Sequence, residues 1–301
     1  MDEKVVKELL KRGYMVTPDT LKRVEDMGMD AFFSENKSAG TFLMGARKEN
    51  PDSLRITVRR PDARKALSTS DIAKNYASRY SKLRDMLSGK MEAVSINKSA
   101  GQFEASVIGM VRRVGPQGFF LEDLTGSIEV MSRQKVDLDD VVGVKGVIRE
   151  GILHEREVLY PDVPLNRKTS TIDARLSLSV GRDGNETAIR IGDSAAGEPL
   201  SGFMWICLEK AGSRMNILAY MPGKDIGQDQ AAMLLRKRHL CPTLKGISSP
   251  EDQHTISPVP DFLWIVGKER WKSIYKGVVV FSTKESDGVE IDLSTRELTF
   301  R

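Results

Sequence analysis

The sequence predicts an α+β protein with a helical module at the N-terminus, a five-stranded barrel in the middle and a mixed αβ domain at the C-terminus. Three observations predict this class. Apolar residues recur at helical spacing in residues 1–45 and again in residues 70–88. From Phe103 the period changes to the alternation typical of strands, with glycine turns between short segments. Beyond Leu165, strand-like segments flank one helical segment.

The composition is typical of a globular protein and excludes several other classes. The chain has 301 residues, of which 40% are hydrophobic and 29% are charged, and its formal net charge is +4. This length allows two domains or more, and no apolar run reaches the length of a membrane span. The N-terminus does not resemble a signal peptide, so we expect a cytoplasmic protein with no membrane partner. Cys207 and Cys241 have neither the spacing of a metal site nor that of a disulfide framework.

The segments before the barrel are predicted to be helices joined by a linker. Residues 1–45 are predicted to form a small helical module, too small to be very stable alone. Residues 46–69 are polar and contain proline turns, which indicates a linker with room for a short strand at 54–58. Residues 70–102 are predicted to supply a helix and the lead-in to the barrel. The apolar stripe of this helix comprises Ile72, Tyr76, Tyr80, Leu83 and Leu87.

Residues 103–165 are predicted to form a small barrel. Short segments rich in β-branched residues alternate with Gly or Asp turns, and glycines occur where a small barrel must bend sharply. Five such strands in succession are the pattern of an OB-fold. The predicted strands are Phe103–Val114, Phe119–Glu122, Ser127–Met131, Val141–Ile148 and Ile152–Tyr160.

The C-terminal segment, residues 170–301, is predicted to be a mixed αβ domain. Its one clear helix is predicted over residues 227–238. Residues 277–281 and 289–300 are predicted to be strands. The helix residues predicted to face inward are Ala231, Met233, Leu234 and Leu235.

Six blocks of this sequence occur in the order that one protein family shows. They are Asn75–Arg84, Ile108–Val111 with Leu121–Gly126, Tyr160–Leu165, Leu235–Pro242, Tyr275–Val278 and Ile291–Arg296. With these blocks the chain resembles the small subunit of the archaeal family-D DNA polymerase, which is related to the B subunits of eukaryotic replicative polymerases. The resemblance implies that the OB-fold is followed by a calcineurin-like phosphoesterase domain, here truncated and degenerate.

The resemblance also implies that the metal ligands of the phosphoesterase domain are lost. Where the family has Gly-His-x-His, this chain has Lys268 and Arg270 in place of the histidines. Neither an ammonium nor a guanidinium group coordinates a divalent cation. Where the family has Ser-Asp-x-His-Val-Gly, Ser177 and Ser179 occupy the two ligand positions. We therefore expect no metal, no other cofactor and no catalytic residue, and we expect the 3′–5′ exonuclease activity to be lost.

Two family motifs have partial counterparts. Gly192-Asp193 matches a Gly-Asp motif, and Pro222-Gly223-Lys224-Asp225 matches a Pro-Gly-Asn-His-Asp motif without its histidine. Met221-Pro222-Gly223 fits a later His-Gly motif as well, and the sequence leaves both alignments open. An active phosphodiesterase with a rebuilt metal site is a further hypothesis, although two-metal hydrolysis needs a compact set of His and Asp ligands. The residues that support it are Asp193, Asp225, Asp252 and His239.

The predicted function is that of a non-catalytic small subunit that supports the large polymerase subunit in DNA replication. The implied partners are the large catalytic subunit and DNA within the complex, and a sliding clamp is a further candidate. The alternative is a free-standing OB-fold protein that binds single-stranded DNA through stacked aromatic rings and a basic groove. The candidate nucleic-acid contacts are Arg112, Arg113, Phe119, Phe120 and Lys145. A further hypothesis is that Lys268 and Arg270 contact phosphate groups, which would make the former hydrolytic cleft a binding cleft.

Overall fold

The computed structural model describes residues 5, 24–25, 28, 53–62, 66–183, 186–192, 197–240 and 247–301. The chain divides into two compact units, one of Met1–Arg55 with Lys210–Gly212 and the other of Ile56–Glu209 with Ser213–Arg301. Apart from four isolated positions, the helical module predicted for residues 1–45 lies outside the described residues. The second unit contains the regions discussed below, apart from Arg55 at the start of β1 and Lys210 at the end of β10.

The described residues form three helices of four residues or more and sixteen strands. In chain order they are β1 (Arg55–Arg59), α1 (Thr69–Ser88), α2 (Ile96–Ser99), β2 (Glu104–Gly115), β3 (Gly118–Glu122), β4 (Ser127–Met131), β5 (Val141–Arg149), β6 (Ile152–Leu159), β7 (Arg175–Asp183), β8 (Glu186–Ile191), β9 (Glu198–Pro199), β10 (Phe203–Lys210), β11 (Ser213–Tyr220), α3 (Gln228–Lys237), β12 (Phe262–Gly267), β13 (Trp271–Tyr275), β14 (Val278–Lys284), β15 (Gly288–Asp292) and β16 (Glu297–Phe300).

Helix α1 begins and ends where its sequence provides caps. The Ser68 hydroxyl accepts a hydrogen bond from the Asp71 amide, and the Asp71 carboxylate accepts one from the Ser68 amide. This capping box satisfies two amides that the first turn leaves unpaired. Gly89 ends the helix. The buried part of the predicted stripe packs onto β2 and β5, in a cluster of Tyr80, Leu83, Leu87, Met91, Ile108, Met110 and Val141.

Strands β2 to β6 form a closed barrel in the order β2-β3-β4-β6-β5. All neighbouring pairs are antiparallel except β4 and β6, which are parallel. The order and the closure are consistent with an OB-fold, and the five strands lie where the sequence predicts them. Alternate side chains of each strand fill the interior, which contains Val107, Val111, Phe119, Leu121, Val130, Val142, Val144 and Leu153.

Close backbone approaches require glycine in the barrel, and Gly146 is an example. The register between β5 and β6 shifts at Lys145 and Gly146, which marks a bulge. A Cβ atom on Gly146 would lie 2.1 Å from the carbonyl oxygen of His154. A side chain at this position would therefore push β5 and β6 apart.

A six-stranded sheet follows in the order β1-β10-β11-β12-β14-β13. Strand β12 pairs in parallel with β11 and β14, while β13 pairs antiparallel with β14. Because both faces of β12 are covered, all of Phe262–Val266 are buried, as is typical of a central parallel strand. Helix α3 covers one face with Ala231 and Leu235, whereas Met233 and Leu234 are only partly buried. The helix predicted over 227–238 is confirmed.

The five remaining strands form an antiparallel sheet in the order β16-β15-β7-β8-β9. The segment predicted as strand over residues 289–300 is the hairpin of β15 and β16. Arg296, in the turn of this hairpin, donates hydrogen bonds to the carbonyl oxygens of Asp261 and Gly277 at 2.8 Å each. These bonds connect the hairpin to the starts of β12 and β14 in the six-stranded sheet.

Candidate functional site

Lys268 and Arg270, the residues in place of metal-ligand histidines, lie in the turn between β12 and β13, and both contact carboxylates. The Lys268 Nζ lies 3.5 Å from a carboxylate oxygen of Asp225, in an exposed pair. Arg270 donates two hydrogen bonds, of 2.6 and 2.7 Å, to the two carboxylate oxygens of Asp287. Arg270 also donates to the carbonyl oxygen of Arg301 at 3.0 Å. The hydrogen bonds from Arg270 lower the pKa of Asp287.

Ser177 and Ser179, the other lost ligand positions, lie on β7 opposite β15. Ser177 is in register with Glu290, and Ser179 is in register with Gly288. The neighbouring Val180 amide donates to the carbonyl oxygen of Asp287, whose side chain is held by Arg270. The fold therefore links the segment of Ser179 to Arg270 through one aspartate. This arrangement is an ion-paired junction between β7, β15 and the turn after β12.

The described residues that would rebuild a metal site form two separate pairs. Asp225 pairs with Lys268, whereas Asp252 and His239 are buried, with His239 Nε2 lying 3.0 Å from Asp252 Oδ1. Asp193 lies outside the described residues. Within the part of the chain that the structure describes, no group of three or more His, Cys, Asp or Glu residues is placed to hold a metal ion.

His239 and Asp252 belong to a buried polar cluster that joins α1 to the segment after α3. Asp252 accepts hydrogen bonds from the amide and the hydroxyl of Thr255, and Arg79 Nε of α1 lies 3.8 Å from Asp252 Oδ1. Burial lowers the pKa of His239 to about 4, so the imidazole is neutral at pH 7. Burial opposes the ionisation of Asp252, but hydrogen bonds from His239 and Thr255 outweigh it and hold the pKa of this carboxyl below its usual range. A buried carboxylate with this many donors is a structural anchor.

The candidate nucleic-acid contacts on the barrel do not form one basic surface. Phe119 is only 2% exposed and belongs to the barrel core, so the expectation that it contacts nucleic acid is corrected. Arg112 lies 3.6 Å from Glu122 and 3.4 Å from Asp139. Lys145 lies 3.0 Å from Glu157, in a groove of about 660 Å³ whose lining includes Glu92 and Glu104.

Arg113 and Phe120 are the barrel residues best placed to contact a base. They are cross-strand neighbours on β2 and β3, and the guanidinium carbon of Arg113 lies 3.8 Å from the centroid of the Phe120 ring. Arg113 is exposed and makes no ion pair with a described residue. The strand alternation places Phe120 outward and its neighbour Phe119 inward.

Sequence reasoning missed a basic region that lies where the chain leaves the barrel. Two adjoining cavities of about 420 and 440 Å³ share Asp162, Arg236 and Lys276 in their linings. Lys90 lines the cavity of about 420 Å³ together with the segment after β6. The cluster Arg236–Arg238 and the block Tyr160–Leu165 were visible in the sequence. Only the fold shows that they meet Lys90 and Lys276.

The comparison with curated proteins finds a distant, partial similarity. The chain is 30% identical to the "DNA polymerase II small subunit" of Archaeoglobus fulgidus over 112 residues, which cover 33% of this chain and 23% of that protein. The matched segment thus covers less than a quarter of the length of this relative. No protein-family model matches the chain. In the described part of the chain, none of the helices is long and apolar enough to span a membrane.

Proposed function

We propose that this chain is a non-catalytic small subunit of a family-D replicative DNA polymerase. The observation that carries the proposal is the similarity to the Archaeoglobus fulgidus protein, found in a chain that contains a closed five-stranded barrel. In this proposal the domain after the barrel derives from a calcineurin-like phosphoesterase. The chain supports a large catalytic subunit on DNA, and a sliding clamp is a further partner to be tested.

The ion pairs of Lys268 and Arg270 support the non-catalytic part of the proposal. In a two-metal phosphoesterase, the metal ions neutralise the carboxylates of the site and activate the attacking water. Here an ammonium group pairs with Asp225 and a guanidinium group with Asp287. Basic side chains thus compensate acidic residues without a metal ion, and neither can activate water as a metal does. In this proposal the domain contributes an interface with the large subunit.

The first experiment is co-expression of the full chain with the large polymerase subunit from the same source, followed by gel filtration. We expect one co-eluting complex whose primer extension exceeds that of the large subunit alone. Elution of two separate proteins, with extension unchanged on mixing, would refute the proposal. The same complex is then assayed for cleavage of labelled single-stranded DNA with excess manganese. Cleavage that requires this chain would contradict its non-catalytic assignment.

A second candidate function, the binding of single-stranded DNA by the barrel, is favoured by the Arg113–Phe120 pair. Guanidinium groups and aromatic rings both provide flat surfaces on which bases stack, and OB-folds bind oligonucleotides on the face formed by their second and third strands. Phe120 lies on the second barrel strand, next to Arg113. Substitution Phe120→Ala should weaken binding of the isolated chain to oligo(dT) if this face is used. Unchanged affinity would exclude this use of the face.

A further inference from the structure

The groove between the barrel exit and α3 gathers cationic side chains from distant parts of the chain. Lys90 follows α1, Arg236 lies near the end of α3, and Lys276 lies in the turn between β13 and β14. All three line the cavity of about 420 Å³ under the segment Tyr160–Asn166. Positions so far apart in the sequence share one cavity because the barrel exit, α3 and the edge hairpin meet there.

The carboxylate of Asp162 already accepts hydrogen bonds from groups that line or adjoin this groove. Its carboxylate accepts hydrogen bonds from the Tyr275 hydroxyl at 2.9 Å, the Val163 amide at 2.6 Å and the Lys276 ammonium group. Its carbonyl oxygen lies 3.3 Å from Lys90 Nζ, which donates to it. One residue thus fixes two of the cations with its own backbone and side chain, and a carboxylate with three donors has little capacity left to neutralise the others.

Lys90 and Arg236 therefore contribute uncompensated positive charge. Neither forms an ion pair with a carboxylate among the described residues. The guanidinium carbon of Arg236 lies 4.5 Å from the centroid of the Tyr160 ring, which orients the group without neutralising it. Partial desolvation by the walls of the groove lowers the pKa of Lys90, and the charges of Lys276 and Arg238 add to this effect although Asp162 opposes it. The cations repel one another, and an anion bound between them would relieve this repulsion.

The second carboxylate near the groove lies in the adjoining cavity. Asp229 is in the first turn of α3 and lines the cavity of about 440 Å³ with Met233 and Tyr275. A carboxylate at that place interacts favourably with the positive end of the helix dipole. Asp229 does not line the cavity that contains Lys90. The positive end of the groove thus lies toward the barrel exit, where Leu165 is 78% exposed.

We propose that this groove binds phosphate groups, with Lys90, Arg236 and Lys276 as donors to the phosphate oxygens. Lysine and arginine donors from three elements around one cavity suit an anion with several oxygen acceptors. The exposed Leu165 and the ring of Tyr275 provide apolar surface for a sugar or a base beside the phosphate. Two sources share this chemistry, the backbone of a single nucleic-acid strand and a small phosphorylated ligand. The groove is separate from the Arg113–Phe120 face of the barrel and is tested on the chain alone, without a large subunit.

The test measures fluorescence anisotropy of a labelled dT20 oligonucleotide with the full chain at several salt concentrations. The double variant Lys90→Gln/Arg236→Gln should bind about ten-fold more weakly. Because two phosphate contacts are lost, the slope of log K against log salt should become shallower by about 1.4. The single variant Lys90→Gln, at an exposed position that leaves the Arg236–Tyr160 contact intact, should show about half of this change in slope. The matched control for the single variant is Lys74→Gln, which removes one exposed lysine charge from α1, outside the lining of this groove, and should leave affinity unchanged.

Competition with pyrophosphate distinguishes the two sources. If pyrophosphate displaces the oligonucleotide from the wild-type chain at micromolar concentration, and more weakly from the double variant, the groove binds a small phosphorylated ligand. If only oligonucleotides compete, it binds a nucleic-acid strand. Either result supports the phosphate site. Equal melting temperatures of wild type and double variant show that a loss of binding does not come from unfolding. The proposal is overturned if neither ligand distinguishes the double variant from wild type, or if Lys74→Gln weakens binding as much as the double variant.

Discussion

Replacing Lys237 by methionine should show how strongly α3 is fixed to the barrel. Lys237 is buried at the end of α3, and its Nζ lies 2.9 Å from a carboxylate oxygen of Asp140, which precedes β5. It also pairs with Asp137, whose side chain is exposed. Methionine keeps most of the buried stem of the side chain and removes only the charge. The variant therefore isolates the electrostatic role of Lys237.

The expected loss is large because it leaves Asp140 buried without a cation. Only one of its carboxylate oxygens is engaged, since Asp140 Oδ1 accepts no hydrogen bond from the described residues. Removing one partner of a buried ion pair costs about 3–5 kcal/mol of unfolding free energy. The control Asp137→Asn removes a solvent-exposed carboxylate and leaves Lys237 paired with Asp140, so it should cost only about 1 kcal/mol, near the upper value for exposed pairs. The difference between the two variants should thus be about 3 kcal/mol, measured by urea unfolding.

The pH dependence provides a second test of the same reasoning. Burial raises the pKa of Asp140, whereas Lys237 lowers it, so the Lys237→Met substitution should raise the pKa further. A carboxyl with a raised folded-state pKa binds its proton more tightly in the folded state, and its contribution to stability is lost as the pH rises through that pKa. The variant should therefore be least stable relative to wild type at neutral pH and should recover in part on acidification. Equal losses in Lys237→Met and Asp137→Asn, or a deficit that does not change with pH, would refute the argument.

Three further predictions concern the buried polar cluster and the barrel. The pKa of His239 is lowered to about 4, so the unfolded chain binds more protons than the folded chain between about pH 6.5 and pH 4. Stability should fall as the pH drops through this window, and a His239→Gln variant should show a weaker dependence in pH-jump denaturation. Gly146→Ala should destabilise the barrel because its Cβ would meet a backbone carbonyl at 2.1 Å, whereas Gly126→Ala, with 3.9 Å to its nearest atom, should melt within a few degrees of wild type. Leu121→Ala should cost about 2–5 kcal/mol in the barrel core, and Leu124→Ala, at a 78% exposed position in the turn after β3, about 0.5 kcal/mol or less, as measured by chemical denaturation; equal costs would contradict the placement of Leu121 in the core.

Much of the secondary structure follows from local sequence signals. The cap of α1 at Ser68 and its end at Gly89 depend on residues within the helix or next to it. The strands of the barrel follow from alternation between glycine turns, because a half-buried strand must place every second side chain inward. The helix α3 follows in the same way from the spacing of Ala231 and Leu235.

The sequence predicts less well which side chains of a strand point into the core. Phe119 and Phe120 are adjacent and chemically identical, and either could fill the core. A shift of one residue exchanges the inner and outer sets of a strand. Closure of the barrel places Phe119 inside, which is why the sequence alone named both phenylalanines as candidate contacts and the structure excludes Phe119.

The sequence by itself determined the barrel strands, the helices α1 and α3, and the cationic chemistry of Lys268 and Arg270, because caps, periodicity and side-chain chemistry are local properties. Only the tertiary structure decided which charges meet. It pairs Arg270 with Asp287 across the sheets, and it brings Lys90, Arg236 and Lys276 around Asp162. Such contacts depend on how the barrel, the sheets and α3 pack, and packing acts between residues that are far apart in the chain.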